Sequence, residues 1–268
     1  MKIYCLTVDN NHYKKIKDLG YIPVGLGKNI SNVNFIRDNS KDNISEKNPF
    51  YGEYTFHYWL WKNYGAKLEK EWIGFCQYRK FWGLKKNKSN ISGLSELKDN
   101  ILRELPEKYN NYESIIGEPF FVNQFRLSKF IKHNLKTMIS KPSLFFNKKD
   151  RNLKFHFDMM HGKGNLEKAI KLLNKKDQNE FMNFVNTEVS FNPHNMMICK
   201  SFEILNEYYN NIFPWLKKCE NEFGFNLEGY GLKRIYGFLA ERYLSYWFQR
   251  YTKFKTLPII FQDISNLN

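Results

Sequence analysis

A chain of 268 residues, 42% hydrophobic and 18% aromatic, carries too much apolar material for disorder and enough to bury one sizeable core. Its mean hydropathy of -0.61, with no long uncharged apolar run, excludes a membrane-spanning helix. Lys and Arg outnumber Asp and Glu by 42 to 27, and the resulting +15 suits a polyanionic partner: nucleic acid, an anionic lipid surface or a phosphorylated substrate. Much of that excess is scattered lysine, as in Lys85-Lys86-Asn87-Lys88 and Lys175-Lys176, which reads as solvated surface.

Residues 2 to 8 (Ile3-Tyr4-Cys5-Leu6-Thr7-Val8 at their centre) read as a first core strand, followed by a polar helical stretch from Asn11 to Leu19 and a short strand, Tyr21 to Gly27, running into a glycine turn. No basic leader with an apolar stretch precedes the strand, so export is not expected. Cys5, Cys76, Cys199 and Cys219 stand singly, which suggests neither a disulfide framework nor a zinc site and fits a reducing cytoplasm. Asn48 and Pro49 are placed as N-cap and first residue of a helix whose Phe50, Tyr54, His57, Tyr58 and Trp61 make one aromatic stripe.

Trp72 to Cys76 is too short for a helix and too apolar for an edge strand, so it is placed centrally, with Gln77 to Lys80 emerging at its carboxyl end, where α/β enzymes put ligand chemistry. A solvated loop (Leu84 to Ser92), a helix near Leu94 to Glu104 and a strand at Tyr112 to Ile116 follow. Ser128 to Phe184 reads as mostly helical, broken at Pro142 and at Gly162-Lys163-Gly164. Val189 to Ile198 is extended; Ser201 caps a helix that Pro214 kinks or splits; a long helix covers about Arg234 to Tyr251; and Leu257 to Phe261 is an edge strand because Pro258 cannot donate to a ladder. Strands separated by helices predict an α/β fold, a mixed, mostly parallel sheet flanked by helices in one domain, with ligand loops at its carboxyl edge.

The chain has no GxxxxGKS/T, GxGxxG, GxSxG or HExxH motif and no kinase set. It also lacks Asp-x-Asp, the carboxylate pair that would hold Mg²⁺ or Mn²⁺ on a sugar-nucleotide diphosphate, so no metal cofactor is expected.

Five segments in order carry a resemblance: IYCLTVDN with YIPVGLG, DNISEKNPFYGEYTFHYWLWKN, WIGFCQYRKFW, HNMMICKSFEILNEYYNNIFPWL and GFLAERYLSYWF. Together they resemble the DUF4422 family of capsular and exopolysaccharide biosynthesis proteins, which look like glycosyltransferases of the GT-A fold type. Two positions depart from the family pattern. Thr7-Val8-Asp9 stands where Thr-His-Lys is frequent, and Gln77 stands where His usually precedes Tyr-Arg. The resemblance implies a nucleotide-sugar half (1–125) and a mostly helical acceptor half (126–268).

Glycosyl transfer passes through an oxocarbenium-like state as a nucleoside diphosphate leaves, so phosphate charge must be neutralised and, in an inverting reaction, an acceptor hydroxyl deprotonated. Arg79 is the candidate for the first task, since a guanidinium grips phosphate oxygens in a bidentate fork, with Lys80 as a supporting charge. Its plain alternative is an ordinary surface arginine. Lys47 and Asn48 at a helix amino end add an anion site. Thr7, Val8, Gly25, Asp42, Asn43, Glu53 and Tyr78 complete the donor-binding set, Tyr78 as a stacking ring or a tied-off core tyrosine, Glu53 as a ligand to sugar hydroxyls or a solvated carboxylate.

Glu241, mid-helix among Phe238, Leu239, Leu244 and Phe248, is the leading base or acceptor ligand, against a structural ion pair; Arg242 is about a third of the way round the helix and so not automatically its partner. Asp158 with His161 is the second base candidate, and His194, Asn195 and Arg242 are the acceptor-binding set. The expected partners are a UDP-sugar, with galactofuranose among the candidate sugars, and a glycan or lipid-linked acceptor, in a cytoplasmic protein with peripheral contact to an anionic membrane. Two other readings remain open: a non-catalytic scaffold of a polysaccharide assembly complex, and a nucleic-acid binder using the charge and aromatics such as Tyr208, Tyr209 and Trp247.

Overall fold

Alternation along the first strand, β1 (Lys2–Thr7), splits its side chains between two cores. Ile3 and Cys5 join the buried set of Ile16, Leu19, Cys76, Phe81, Trp82, Ile198 and Leu257. Tyr4 turns the other way, onto Phe56 and Phe75 at 5.4 and 5.8 Å between ring centroids. The computed structural model describes residues 1–64, 71–86, 91–124, 143 and 147–268. Asn87 and Lys88 of the basic run, the helical reading from Ser128 onward as far as Pro142, and the break at Pro142 lie outside these residues.

β2 (Ile22–Gly25) and β4 (Ile73–Gln77) flank β1 in parallel, and β3 (Ile36–Arg37) extends the sheet beyond β2. On the other side of β4 lie β9 (Met197–Cys199), β6 (Ser114–Gly117) and β10 (Phe254–Leu257), giving the order β10-β6-β9-β4-β1-β2-β3. All strands on this path run the same way except β9, which is antiparallel to both neighbours. The mixed, mostly parallel sheet flanked by helices is thus the α/β, GT-A-like class expected, and Ile73–Gln77 is central. β5 (Lys80–Trp82) folds back antiparallel on β4, and β11 (Ile259–Phe261) pairs with β5. Pro258 falls between β10 and β11, where it owes the ladder no hydrogen bond.

The helices in this part are α1 (His12–Asp18), α2 (Asn48–Tyr51), α3 (Tyr54–Tyr64) and α4 (Leu94–Asn100). The single aromatic helix expected from Asn48 is two. Gly52, at φ 59° and ψ -131°, ends α2 in a conformation only glycine adopts readily, and its N–H bonds to the Asn48 carbonyl. Lys47, not Asn48, holds the N-cap position. The break shifts the buried face to Tyr54, Phe56, His57, Trp59 and Leu60, leaving Phe50, Tyr58 and Trp61 half-buried.

The remaining helices are α5 (Leu153–His161), α6 (Asn165–Ile170), α7 (Lys175–Thr187), α8 (Phe202–Phe223), α9 (Tyr230–Lys233) and α10 (Ile235–Tyr251). Gly162 and Gly164, both at positive φ, separate α5 from α6 as expected. Pro214 is exposed inside α8 and does not split it. The extended reading of Val189 to Ile198 resolves into β8 (Ser190–Phe191), paired with β7 (Phe120–Phe121), and β9, because His194 and Asn195 between them take positive φ.

The chain forms two compact units, the first of Met1–Glu118, His194–Asn211 and Trp247–Asn268, the second of Pro119–Pro193 and Ile212–Tyr246. All four cysteines are free and buried, with Cys5 and Cys76 register partners across β1 and β4. Tyr208, Tyr209 and Trp247 are core residues at 0%, 0% and 3% exposure, so they offer no stacking platform to a nucleic acid. Among the described residues no helix is long and apolar enough to cross a membrane.

Candidate active site

In the first unit, polar side chains gather where parallel strands end. The β1 strand finishes at Thr7, whose buried hydroxyl lies 2.7 Å from His12 Nδ1 and accepts the Asp9 N–H, while exposed Val8 leads away. Gly25 closes β2 with no room for a side chain, since a Cβ there would meet Ile30 Cγ2 at 2.7 Å. Gly27, at φ 77°, accepts a hydrogen bond from Arg37 Nη2 and lies beside the Asn48 amide oxygen. Asn48 donates to the Gly52 carbonyl and to Thr55 Oγ1, so it braces the α2–α3 junction.

The centre of the constellation is at the end of β4. Gln77 Nε2 donates to Glu53 Oε1 at 3.3 Å and to the His194 carbonyl at 3.0 Å. Asn195 Nδ2 donates to the same Glu53 oxygen at 2.9 Å, and Lys80 Nζ reaches Gln77 Oε1 at 3.2 Å. Four candidates scattered over about 140 residues of sequence are brought together here, Glu53, Lys80 and the His194 carbonyl by Gln77, and Asn195 through Glu53. His194 and Asn195 take φ values of 78° and 53°, a left-handed pair that non-glycine residues adopt only under tertiary constraint. Burial, helped by the Lys80 charge, pushes the His194 imidazole down to about 3, so it is neutral; its ring meets Phe261 edge-on at 5.2 Å.

Tyr78 and Arg79 form the two-residue turn between β4 and β5. The Arg79 guanidinium lies over the Tyr78 ring at 4.8 Å and 4.0 Å from Asp263, with its side chain 59% exposed. Tyr78 is half-buried against the His12 ring. Asp42 and Asn43 serve the local chain: Asp42 Oδ1 accepts from Tyr58, and Asn43 Oδ1 accepts the Ser45 N–H and hydroxyl, an Asx turn that starts the helical turn holding Lys47.

The second unit holds the other set. Arg242, which the sequence left open as a partner, pairs with Glu241, Nη1 to Oε2 at 2.8 Å. The guanidinium is 1% exposed, lies 3.5 Å over the Phe191 ring and places Nη2 3.1 Å from His156 Nδ1. Adjacent residues meet because both side chains lean along the helix, and burial drives Arg242 to the nearest carboxylate. Burial, then the Arg242 charge, holds His156 well below the ordinary imidazole range. Asp158 pairs with Lys154 at 3.0 Å and accepts the Gly164 N–H at 2.9 Å, and His161 stacks on Phe238 with Nδ1 on the Gly231 carbonyl. The structure does not bring Asp158 and His161 into contact as a proton relay: the carboxylate closes the α5–α6 turn and the imidazole is packed.

Sequence reasoning missed three residues beside the first set. Asp38, just past β3, is 1% exposed; its Oδ2 has no hydrogen-bond partner among the described residues, and burial lifts its carboxyl above the usual range despite Thr55 and Arg37. His12 bridges Thr7 and Ser265, and Asp263 faces Arg79. The legible signal was the charged pair Arg37-Asp38 directly after the apolar Phe35-Ile36; the contacts of Asp263 and Ser265 with Arg79 and His12 span the length of the chain and leave no local pattern. Among the described residues no three His, Cys, Asp or Glu side chains come together to hold a metal ion.

Residues 2–253 match the model of a domain of unknown function, DUF4422. The chain belongs to that family. No curated protein matches it. Among solved structures it is similar to the apo structure of WbbM, a bifunctional glycosyltransferase, with a TM-score of 0.67 and 19% identity over 98% of this chain. The likeness covers 45% of the WbbM chain, so this DUF4422 protein spans less than half of that molecule, and at this identity what the two share is the fold.

Proposed function

We propose that the chain is a metal-independent glycosyltransferase of the hexosyl-transferring kind, moving a sugar from a UDP-linked donor to a surface-polysaccharide or lipid-linked glycan acceptor. The observation that carries this is the cluster at the carboxyl end of β4: a carboxylate oriented by two amides, Glu53 with Gln77 and Asn195, beside the cations Lys80 and Arg79. Cations at a parallel-sheet edge suit a diphosphate, and an amide-held carboxylate suits sugar hydroxyls. In this reading Arg79 takes the leaving diphosphate with Lys80 in support. Tyr78, Thr7, Val8, Gly25, Asp42, Asn43, Lys47 and Asn48 shape the donor side. His194 and Asn195, the latter bonded to Glu53, face the acceptor. The family and the fold of WbbM support the reaction class.

The test is a thermal-shift and calorimetric screen against UDP, GDP, CMP and UDP-sugars, UDP-galactofuranose included, with Mn²⁺ or with EDTA. Ligand at a hundredfold excess over Kd stabilises by about 2.7 kcal/mol. Selective UDP stabilisation, unchanged by EDTA and lost in Arg79→Ala, is expected. No response to any nucleotide overturns the reading and favours a scaffold.

A further inference from the structure

In the second unit the end of α5 and the short helix α9 build one surface knob. A Cβ on Gly231 would lie 2.3 Å from the Met160 carbonyl, and one on Gly162 would lie 3.1 Å from Leu232 Cδ2, so the two turns are in van der Waals contact. His161 Nδ1, bonded to the Gly231 carbonyl at 3.0 Å, fastens them. Three glycines at positive φ, Gly162, Gly164 and Gly229, shape the turns. The side chains this knob presents are apolar and cationic. Tyr230 is 71% exposed and Met160 48% exposed. Lys163 follows Gly162, Lys233 stands one helical turn from Tyr230, both exposed, and the Arg234 guanidinium lies 5.8 Å from the Tyr230 ring centre. Glu228 is an exposed carboxylate nearby in sequence.

A large phenol and a thioether left in water, with cations on either side, have the composition of an interfacial contact: the ring and the thioether enter the headgroup layer while Lys and Arg extend to the phosphates. Charge complementarity decides the occupant. The knob is cationic and the chain carries +15, so the fitting surface is an anionic bilayer rather than a neutral one. We propose that the Met160–Lys163 and Tyr230–Arg234 turns dock this protein on anionic lipid. The proposal does not depend on the transferase reading.

The test is co-sedimentation of the full chain with phosphatidylcholine vesicles containing phosphatidylglycerol or none. Wild type is expected to bind the anionic vesicles and to be released by salt. Each cation near such a surface contributes about fivefold in partitioning, so Lys163→Gln with Lys233→Gln lowers binding about twenty-fivefold. Lys175→Gln with Lys176→Gln removes the same charge on α7 and is expected to change binding far less. Tyr230→Ser weakens and Tyr230→Trp strengthens binding, with unchanged melting curves because the side chain is exposed. Three outcomes overturn the proposal: equal binding to neutral vesicles, equal loss from the α7 pair, or indifference to position 230. The second of these assigns binding to net charge alone, as does equal retention on a soluble polyanion column with no binding to vesicles.

Discussion

Glu53 in the first unit and Glu241 in the second are both helix-associated carboxylates, yet they are held by different chemistry. Glu53 takes its hydrogen bonds from the neutral amides of Asn195 and Gln77 and is half-buried. Glu241 is paired at 2.8 Å with a guanidinium that is itself stacked on Phe191 and set against His156. Amide donors fix a carboxylate's direction and carry no charge themselves; a buried guanidinium cancels much of the carboxylate charge and makes the pair part of the fold. The same residue type therefore predicts different consequences when it, or its partner, is replaced.

The largest expected effect is in the second unit. Arg242→Ala removes the partner of Glu241, the stacking on Phe191 and the contact to His156 together. Breaking a buried pair from one side costs about 3–5 kcal/mol. Urea denaturation should show that loss as a shifted midpoint with an unchanged slope. A loss below about 1 kcal/mol would mean that the pair is effectively solvated and that the contrast with Glu53 fails.

Acid sharpens the comparison, because each unit has a buried neutral histidine. Burial holds His57 in the first unit and His161 in the second down to about 3. Unfolded, each titrates near about 6.5, so between these values the unfolded chain binds a proton that the fold refuses. Stability is complete above about pH 6.5 and falls as pH drops toward 3, by up to about 1.4 kcal/mol per pH unit for each histidine. Denaturation at about pH 7, 5.5 and 4 checks the slope. His161→Gln should remove one histidine's share and leave that of His57. If the units unfold in separate transitions, only the second unit's transition will lose part of its pH dependence, the remainder being that of His156.

How much of this was legible in the sequence follows the range of the interactions. The apolar runs at Ile3 to Leu6 and at Ile73 to Cys76 are local and mark the strands of the parallel sheet. The split at Gly52 was less visible, because an aromatic stripe at helical spacing reads the same across a break as along one helix. Gln77, Tyr78 and Arg79 could be placed at a strand end from pattern alone. That Gln77 joins Glu53 to His194 could not, since that depends on a left-handed turn at positions whose side chains do not announce it. The Arg242 pairing stayed open for a related reason: helical spacing describes where Cβ atoms point, whereas long side chains bend toward whatever charge burial makes indispensable.

The smallest expected effect on stability belongs to Glu53→Gln, and it is the replacement that separates a ligand site from a structural one. The glutamine carbonyl accepts the Asn195 amide in place of the carboxylate oxygen, and the site is half-buried, so unfolding should change by no more than about 1 kcal/mol. What is lost is the negative charge that the two amides orient. If a donor sugar places hydroxyls there, each hydrogen bond to a charged acceptor contributes about 1.5–3 kcal/mol, so affinity for a UDP-sugar should fall about tenfold to a hundredfold. UDP alone, which has no hexose and in the proposed function is held by Arg79 and Lys80, should bind as before. Calorimetry of both ligands on the same preparation reads that difference directly. Equal losses for UDP and UDP-sugar would place Glu53 in the scaffold of the diphosphate site. A large loss of stability would place it with Glu241, as a carboxylate the fold consumes.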